Sequence, residues 1–193
     1  KFGAIQEARH VFIQNGLALF KNQNIRILEI GFGTGLNALM TLAEKENYNL
    51  NIHYVGVEAY PISASEVSSM NYAQELGVDH VLFDQMHDCS WQNEHIISPG
   101  FALTKRQQLF TEIDDVAAFD LIYFDAFGYR VQPELWSEDI FQIMYKALKP
   151  GGVLVTYAAR SIIKKNMISA GFTVSKLPGP PGKREMFRAL KGL

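Results

Sequence analysis

The chain has 193 residues, 48% of them apolar and 12% aromatic, which is enough apolar surface to build one well-buried globular domain. Its formal net charge of -2 excludes a uniformly basic protein that coats nucleic acid, and its single cysteine, Cys89, excludes an internal disulfide. No apolar run approaches the roughly 18 residues of a membrane span and no signal-peptide pattern opens the chain, so we expect a cytoplasmic protein without a membrane partner.

The composition shows no break that would separate two domains. We therefore expect residues 1–193 to form a single domain. The sequence begins at Lys1 rather than at a methionine, and we expect its N-terminus to be cropped.

Hydrophobic periodicity predicts alternating helices and strands along the first part of the chain. A first helix is predicted over 4–20, with Ile5, Ala8, Phe12 and Leu19 on its inner face. The elements predicted after it are a strand over 25–30, a helix over 36–44, a strand over 53–58 and a helix over 63–76. A less regular region follows.

The second part of the chain opens with the almost wholly apolar run 119–124, which is typical of a central strand buried on both faces and which ends in Asp125. Pro133 is predicted to begin a helix that runs to about Leu148 and stops at the sequence KPGG. The remaining predicted elements are a strand over 153–157, a helix over 161–170, a strand over 172–176 and an apolar run over 186–190. The Pro/Gly-rich turn 178–182 is short enough to make the last two an antiparallel pair.

This alternation predicts an α/β fold, in which a mostly parallel, doubly wound sheet carries helices on both faces and one reversed strand at its end. Ligands of such sheets bind beyond the carboxyl ends of the strands. Glu29, Glu58 and Asp125 all fall at predicted strand ends. We therefore expect these three carboxylates to border one ligand site.

The segment EIGFGTGLN, 29–37, places three glycines at alternate positions between a strand and a helix. Its G-x-G-x-G spacing, with no lysine after it, differs from both the dinucleotide fingerprint and the phosphate loop. Glu29 and Glu58 indicate a cofactor with cationic and hydroxyl groups, which favours S-adenosylmethionine. The alternative for the glycines alone is a glycine-rich turn of any α/β domain.

Charge is distributed unevenly along the chain. Residues 153–193 carry eight Lys and Arg against one acid, whereas residues 110–149 carry eight acids against three bases. The C-terminal part can therefore present a positive face that the net charge conceals. A solvated surface is the alternative.

Several segments together resemble one family: GAIQEARHVFI (3–13), EIGFGTGLN, DAFGYRVQPELW (125–136), VTYAA (155–159) and AGFTV followed by LPGPPGKREM (177–186). They are similar, in the same order and over nearly the whole chain, to the methyltransferase part of MnmC, the tRNA 5-methylaminomethyl-2-thiouridine biosynthesis enzyme. The resemblance implies a Rossmann-like class I fold with a mostly parallel seven-stranded sheet. It implies S-adenosyl-L-methionine as cofactor, no metal, and no FAD in this chain, which has no room for the oxidoreductase domain that some members carry.

The reaction that the resemblance implies is N-methylation of the 5-aminomethyl group of (2-thio)uridine at the wobble position of tRNA. The anticodon region of tRNA is the implied partner, and a separate enzyme would supply the aminomethyl intermediate. Asp125 is the implied catalytic residue, which orients the amine and helps it lose a proton; the alternative is that Asp125 only binds cofactor or supports its loop.

The remaining site residues are carried over from the motifs by position. The cofactor would contact Glu29, Gly31, Gly33, Thr34, Gly35, Asn37, Glu58 and Tyr60, with Pro61 beside Tyr60 at the adenine. The flipped base or the sulfonium would lie among Phe127, Trp136 and Tyr157, for which core packing is the alternative. The RNA phosphates would meet Lys183 and Arg184, with Arg160, Lys164 and Lys165 extending the track.

Two points stay open in the sequence. The end of the strand before DAF reads KRQQ (105–108), without the carboxylate that many class I methyltransferases place near the adenine; Asp88, Asp114 or Asp115 would have to replace it. His87, Asp88 and Cys89 lack a second pair of ligands at suitable spacing, so we expect no metal site there. The competing functions are an aminopropyltransferase acting on another amine and a non-catalytic cofactor- or RNA-binding module.

Overall fold

The structure is a computed structural model that describes residues 2–68 and 70–193. Its described part forms one sheet, and the bounds of the strands are, in chain order, β1 Asn24–Ile30, β2 Asn51–Glu58, β3 Glu94–Ser98, β4 Phe101–Gln107, β5 Phe119–Phe124, β6 Leu148–Thr156, β7 Thr173–Pro178 and β8 Glu185–Leu190. The order across the sheet is β3-β4-β2-β1-β5-β6-β8-β7. This order confirms a doubly wound sheet, because the chain moves outward from β1 in one direction and returns to β5 on its other side.

Strand direction confirms the mostly parallel sheet and corrects its details. β1 pairs in parallel with β2 and β5, and the parallel pairing continues to β4 and β6. β8 runs antiparallel to both β6 and β7, as the short turn predicts. The described sheet has eight strands rather than seven, since the short edge strand β3 pairs antiparallel with β4.

Helices lie on both faces of the sheet. The α-helices, in chain order, are α1 Phe2–Ala8, α2 Leu36–Glu44, α3 Ala64–Ser68, α4 Tyr72–Leu76, α5 His80–Asp88, α6 Glu138–Ala147 and α7 Ser161–Ala170. The bounds of α2 and α7 are the predicted ones. A one-turn 3₁₀ segment, Pro133–Trp136, precedes α6, so the helix predicted from Pro133 begins in two pieces. No described helix is long and apolar enough to cross a membrane.

The predicted N-terminal helix does not continue to residue 20. After α1 the backbone widens into a π-helix, Arg9–Gln14, and ends in a 3₁₀ turn, Leu17–Phe20. The π-segment buries the consecutive residues Val11, Phe12 and Ile13, which a regular α-helix would direct to different sides. Leu19, predicted on the inner face, is 47% exposed because the 3₁₀ turn changes the phase of the helix.

The region between β2 and β5 differs most from the prediction. The helix expected over 63–76 is divided into α3 and α4; Ser69, within that range, lies outside the described residues. The region expected to be less regular contains α5 and β3 as well as β4, which is the strand presumed to end at KRQQ (105–108). Of α5, only Phe83 and Met86 are buried, so its apolar face is too narrow to give a clear periodic pattern.

Candidate active site

A cavity of about 790 Å³ opens at the carboxyl ends of the central strands β1, β2 and β5. The predicted site residues that line it are Gly31, Gly33, Thr34, Asn37, Glu58, Tyr60, Asp125, Phe127, Tyr157 and Lys183. Lining residues for which no role was predicted include Glu7, Phe12, Tyr72, Phe110, Glu134 and Asp139. The predicted cofactor residues Glu29 and Gly35 lie behind the wall of the cavity.

Two glycines of the glycine-rich loop lie too close to neighbouring atoms to carry a side chain. Gly31 has φ of 90°, and a Cβ built on it would lie 2.5 Å from the backbone oxygen of Asp125. Gly35, at the start of α2, has φ of 80°, and its Cβ would lie 2.9 Å from Nε2 of His87. Glycine is therefore required at both positions for two separate reasons, backbone conformation and space.

His87 supports the loop from the opposite side. Its Nε2 lies 2.8 Å from the carbonyl oxygen of Thr34, and burial lowers the pKa of its imidazole, which favours the neutral ring donating to that carbonyl. The buried Lys105 in turn donates its Nζ to the carbonyl of His87 at 2.9 Å. His87 thus positions the loop, and the described residues bring together no group of three metal-binding side chains here or elsewhere.

Asn37 joins two carboxylates at the floor of the cavity. Its side-chain amide nitrogen donates to Oε2 of Glu29 at 2.8 Å and to Oδ2 of Asp125 at 2.9 Å. The other oxygen of Glu29 accepts a hydrogen bond of 2.6 Å from the hydroxyl of Tyr54. Glu29, only 1% exposed, thus orients Asn37, and through it Asp125.

The same packing raises the pKa of both carboxyls. Burial raises the pKa of Glu29 well above its usual range, and the neighbouring Asp125 adds to the effect. Burial also raises the pKa of Asp125 from 3.8 to about 6, although the hydrogen bond from Asn37 opposes the shift. Asp125 therefore exchanges its proton near neutral pH, which suits a general base better than an ordinary carboxylate does.

Glu58 closes the opposite wall at the end of β2. Its Oε1 accepts a hydrogen bond of 2.9 Å from the backbone nitrogen of Gly33, so it fixes the middle of the glycine-rich loop. Its other oxygen lies 3.4 Å from the backbone nitrogen of Tyr60, whose side chain is 77% exposed at the rim. Glu58 and Tyr60 both line the cavity on this side, where the ribose and adenine contacts were predicted.

The three predicted aromatic residues occupy different environments. Trp136 is fully buried in the core, where it packs on Phe124 and donates its indole nitrogen to the carbonyl of Phe127 at 2.8 Å. Phe127 itself is 68% exposed at the rim of the cavity. Tyr157 lines the wall and donates its hydroxyl to the carbonyl of Ala126 at 2.7 Å. Of the three aromatic residues, Trp136 is therefore the one that packs in the core.

Lys183 lines the cavity, although its side chain remains 44% exposed. Its Nζ donates to Oε1 of Glu7 at 2.6 Å and lies 4.5 Å from the centroid of the Tyr157 ring. Glu7 lies on α1, and no role in the site was predicted for it from the sequence. The adjacent Arg184 is exposed.

A second, more open groove of about 530 Å³ adjoins the cavity and shares Gly128, Tyr157 and Lys183 with it. Its other charged lining residues are Arg130, Arg160, Arg184 and Glu185. The guanidinium of Arg160 lies 5.2 Å from the centroid of the Tyr129 ring. The groove therefore combines a positive charge with aromatic surface beside the cavity.

None of the acids proposed to replace the missing adenine carboxylate lines the cavity. Asp115 forms a bidentate ion pair with Arg106, at 2.7 and 3.1 Å, and Asp114 is exposed. Asp88 also lies outside the lining residues. Glu134 and Asp139 are the cavity-lining carboxylates on the side of α6, which makes them the new candidates for adenine recognition.

The chain is similar in sequence to known methyltransferases. Residues 100–192 match a family of S-adenosyl-L-methionine-dependent methyltransferases. The chain is 30% identical over 203 residues to the tRNA 5-methylaminomethyl-2-thiouridine biosynthesis bifunctional protein MnmC of Leptospira borgpetersenii serovar Hardjo-bovis (strain JB197). It is 27% identical over 211 residues to the MnmC of Ectopseudomonas mendocina (strain ymp). The match covers 94% of this chain in both cases, and the chain spans 30% of the length of these relatives.

Solved structures share the fold. MNMC2 from Aquifex aeolicus superposes with a TM-score of 0.73 at 22% identity, covering 98% of this chain and 61% of that one. Spermidine synthase from Thermotoga maritima superposes with a TM-score of 0.59 at 15% identity, covering 99% and 61%. The resemblance stated from the motifs is confirmed. The chain is thus similar to MnmC proteins over 94% of its length, and its residues 100–192 match S-adenosyl-L-methionine-dependent methyltransferases.

Proposed function

We propose that this chain methylates the primary amine of 5-aminomethyl-(2-thio)uridine at the wobble position of tRNA, giving 5-methylaminomethyl-(2-thio)uridine. The position of Asp125 is the observation that carries this proposal. Its carboxylate, with a pKa of about 6, lies beneath the glycine-rich loop and faces the cavity. The similarity to MnmC proteins, whose name includes the 5-methylaminomethyl product, supports the choice of acceptor.

The cavity residues fit S-adenosyl-L-methionine, which supplies an activated methyl group when bound. Gly31 and Gly33 leave the backbone open to close approach, and the carboxylate of Glu58, which lines the cavity, would accept hydrogen bonds from the ribose hydroxyls. Tyr60 would flank the adenine, and Glu29 would act from behind the wall through Asn37. Thr34 and Gly35 belong to the same loop and would contact the cofactor with it.

Asp125 would prepare the acceptor amine. An alkylamine is mostly protonated near neutral pH and has no free lone pair in that form, so it must lose a proton before it can react. Asp125 would accept a hydrogen bond from the amine and then take its proton. Because Asn37 fixes one oxygen of Asp125 at 2.9 Å, the other oxygen is free to face the amine.

The basic groove supplies a path for the RNA beside the target base. Arg160 and Arg184 lie on its surface, and Tyr129 offers a ring for stacking. The tRNA anticodon region would lie along this groove while the modified base enters the main cavity. A separate enzyme would supply the aminomethyl group, and we expect the reaction to take place in the cytoplasm.

The first test is transfer of labelled methyl from S-adenosyl-L-methionine to tRNA bearing 5-aminomethyluridine, followed by nucleoside mass analysis. We expect one methyl group on the aminomethyl nitrogen and none on matched tRNA with plain uridine. Methylation of both tRNAs alike would contradict the proposed acceptor. Transfer of an aminopropyl group from decarboxylated S-adenosylmethionine, in place of methyl, would establish the aminopropyltransferase alternative.

The groove gives a second prediction, for the double variant Arg160→Ala, Arg184→Ala. If both guanidiniums contact phosphates, the affinity for tRNA falls about tenfold. The negative slope of log affinity against log salt concentration becomes shallower by roughly 1.5. Filter binding at several salt concentrations measures both quantities. The control is Lys21→Ala, Lys146→Ala, which removes two lysines outside both cavities. An equal loss in this control would mean that charge anywhere on the surface, rather than the groove, binds the RNA.

A further inference from the structure

Lys183 places a primary ammonium inside the cavity that is proposed to receive a primary amine. Its Nζ is held by the carboxylate of Glu7 at 2.6 Å and by the face of the Tyr157 ring at 4.5 Å. The side chains of Lys183 and Glu7 remain 44% and 35% exposed, so the pair is accessible from the cavity. This pairing joins the turn between β7 and β8 to α1.

The surroundings of Lys183 are those that recognise an alkylammonium. A carboxylate accepts its N–H groups and an aromatic face attracts its charge. Asp125 belongs to the same electrostatic group, because Lys183 lowers the pKa of its carboxyl while Glu7 raises it. The protonated aminomethyl group of the substrate has the same chemistry as the end of the lysine side chain, a CH₂ that carries an NH₃⁺.

On the basis of the function proposed above, we propose that Glu7 and the face of Tyr157 bind the substrate's aminomethyl ammonium, and that Lys183 occupies this place until RNA binds. Lys183 then moves its charge to a phosphate in the adjacent groove. The structure supports this exchange because Lys183 lines both the cavity and the groove. Because the substrate's ammonium takes the place of the lysine ammonium, the Glu7 carboxylate keeps a cationic partner in both states.

The exchange gives selectivity for the aminomethyl base. A tRNA with the amine replaces one cation beside Glu7 by another and gains a phosphate contact from Lys183. A tRNA with plain uridine provides no cation, so moving Lys183 away would leave the Glu7 carboxylate unpaired. If Lys183 stayed in place, it would repel the incoming ammonium.

The test uses the free nucleoside 5-aminomethyluridine, which carries the amine but no phosphate. Its affinity for the protein saturated with S-adenosylhomocysteine is measured by calorimetry for the unmodified chain and two variants. We expect Glu7→Gln to weaken binding about tenfold, because the carboxylate is lost. We expect Lys183→Met to strengthen binding about threefold or more, because the competing cation is lost. The matched controls are Asp114→Asn and Lys176→Met, at exposed positions outside both cavities.

The opposite signs separate exchange from a merely structural ion pair, whose loss would weaken nucleoside binding in both variants. Weaker binding in Lys183→Met would therefore overturn the proposal, as would an unchanged affinity in Glu7→Gln. A second readout is the tRNA assay, in which Glu7→Gln should raise KM for aminomethyl-tRNA and leave the affinity for S-adenosylhomocysteine unchanged. Normal KM in this variant overturns the inference while the proposed function stands; absence of methyl transfer by the unmodified chain removes the proposed function itself.

Discussion

Methyl transfer to aminomethyl-tRNA is expected to fall roughly 100- to 1,000-fold when Asp125 is replaced by asparagine, a magnitude typical of losing a general base. The variant keeps the shape of the side chain, and its amide oxygen can still accept the hydrogen bond from Asn37. What it loses is the ability to take a proton. Single-turnover transfer with saturating cofactor measures the effect, and cofactor affinity should change by less than threefold.

The pH dependence provides the control for this prediction. Burial raises the pKa of Asp125 from 3.8 to about 6, so the folded protein holds this proton to higher pH than the unfolded chain does. Below about pH 6 the carboxyl is protonated and cannot act as a base, so the transfer rate of the unmodified chain rises through this pH. Asp125→Asn should lack this limb. Because the pKa of Asp125 is higher in the folded than in the unfolded chain, ionisation of Asp125 lowers the free energy of unfolding of the unmodified chain as the pH rises from about 4 to 6. The variant has no carboxyl to ionise at this position, so its stability relative to the unmodified chain should rise over the same pH range. A variant with ample turnover and the same pH profile would leave Asp125 only a supporting role.

The second large effect is expected for Gly31→Ala. Alanine at φ of 90° is strained, and its Cβ would lie 2.5 Å from the backbone oxygen of Asp125, so loop and strand end must separate. We expect a loss of about 2–4 kcal/mol in the free energy of unfolding, together with a loss of cofactor binding. Urea denaturation and calorimetric titration with S-adenosyl-L-methionine measure the two effects.

Gly77→Ala is the matched control for this substitution. Gly77 also has a positive φ, of 68°, but a Cβ there would meet nothing within 4 Å. Its loss of stability should therefore be about 1 kcal/mol, the conformational strain alone, with cofactor affinity unchanged. Equal losses in the two variants would show that the close approach between Gly31 and Asp125 contributes nothing measurable.

Elements with strong local patterns could be predicted from the sequence. The apolar run of β5 and the bounds of α2 and α7 are confirmed, since each has a clear beginning and end in its own residues. The π-segment after α1 was not predicted, because its unusual hydrogen bonding follows from burying three consecutive residues against the sheet. β3 was missed because only one of its five residues is buried.

Some residues of the candidate site could likewise be predicted from the sequence, and others could not. Glu58 and Asp125 could be located because parallel strands bring their carboxyl ends to one edge. Glu7 could not, since its partner Lys183 is 176 positions away and no local spacing relates the two. The role of Glu29 also required the structure: its position at a strand end is visible in the sequence, but the fact that Asn37 stands between it and Asp125 is not.

The contacts between α1, the π-segment and the last hairpin bear on how the protein is made. Besides the pair Glu7 and Lys183, His10 lies 2.7 Å from the carbonyl of Pro178, and Arg188 donates to the carbonyl of Asn15 at 3.3 Å. These contacts join residues 168 to 176 positions apart. The ribosome synthesises the glycine-rich loop early and the turn that carries Lys183 almost last. The side of the cavity lined by Lys183 is therefore the last part of the site to be made, and it cannot be completed until the final hairpin has emerged.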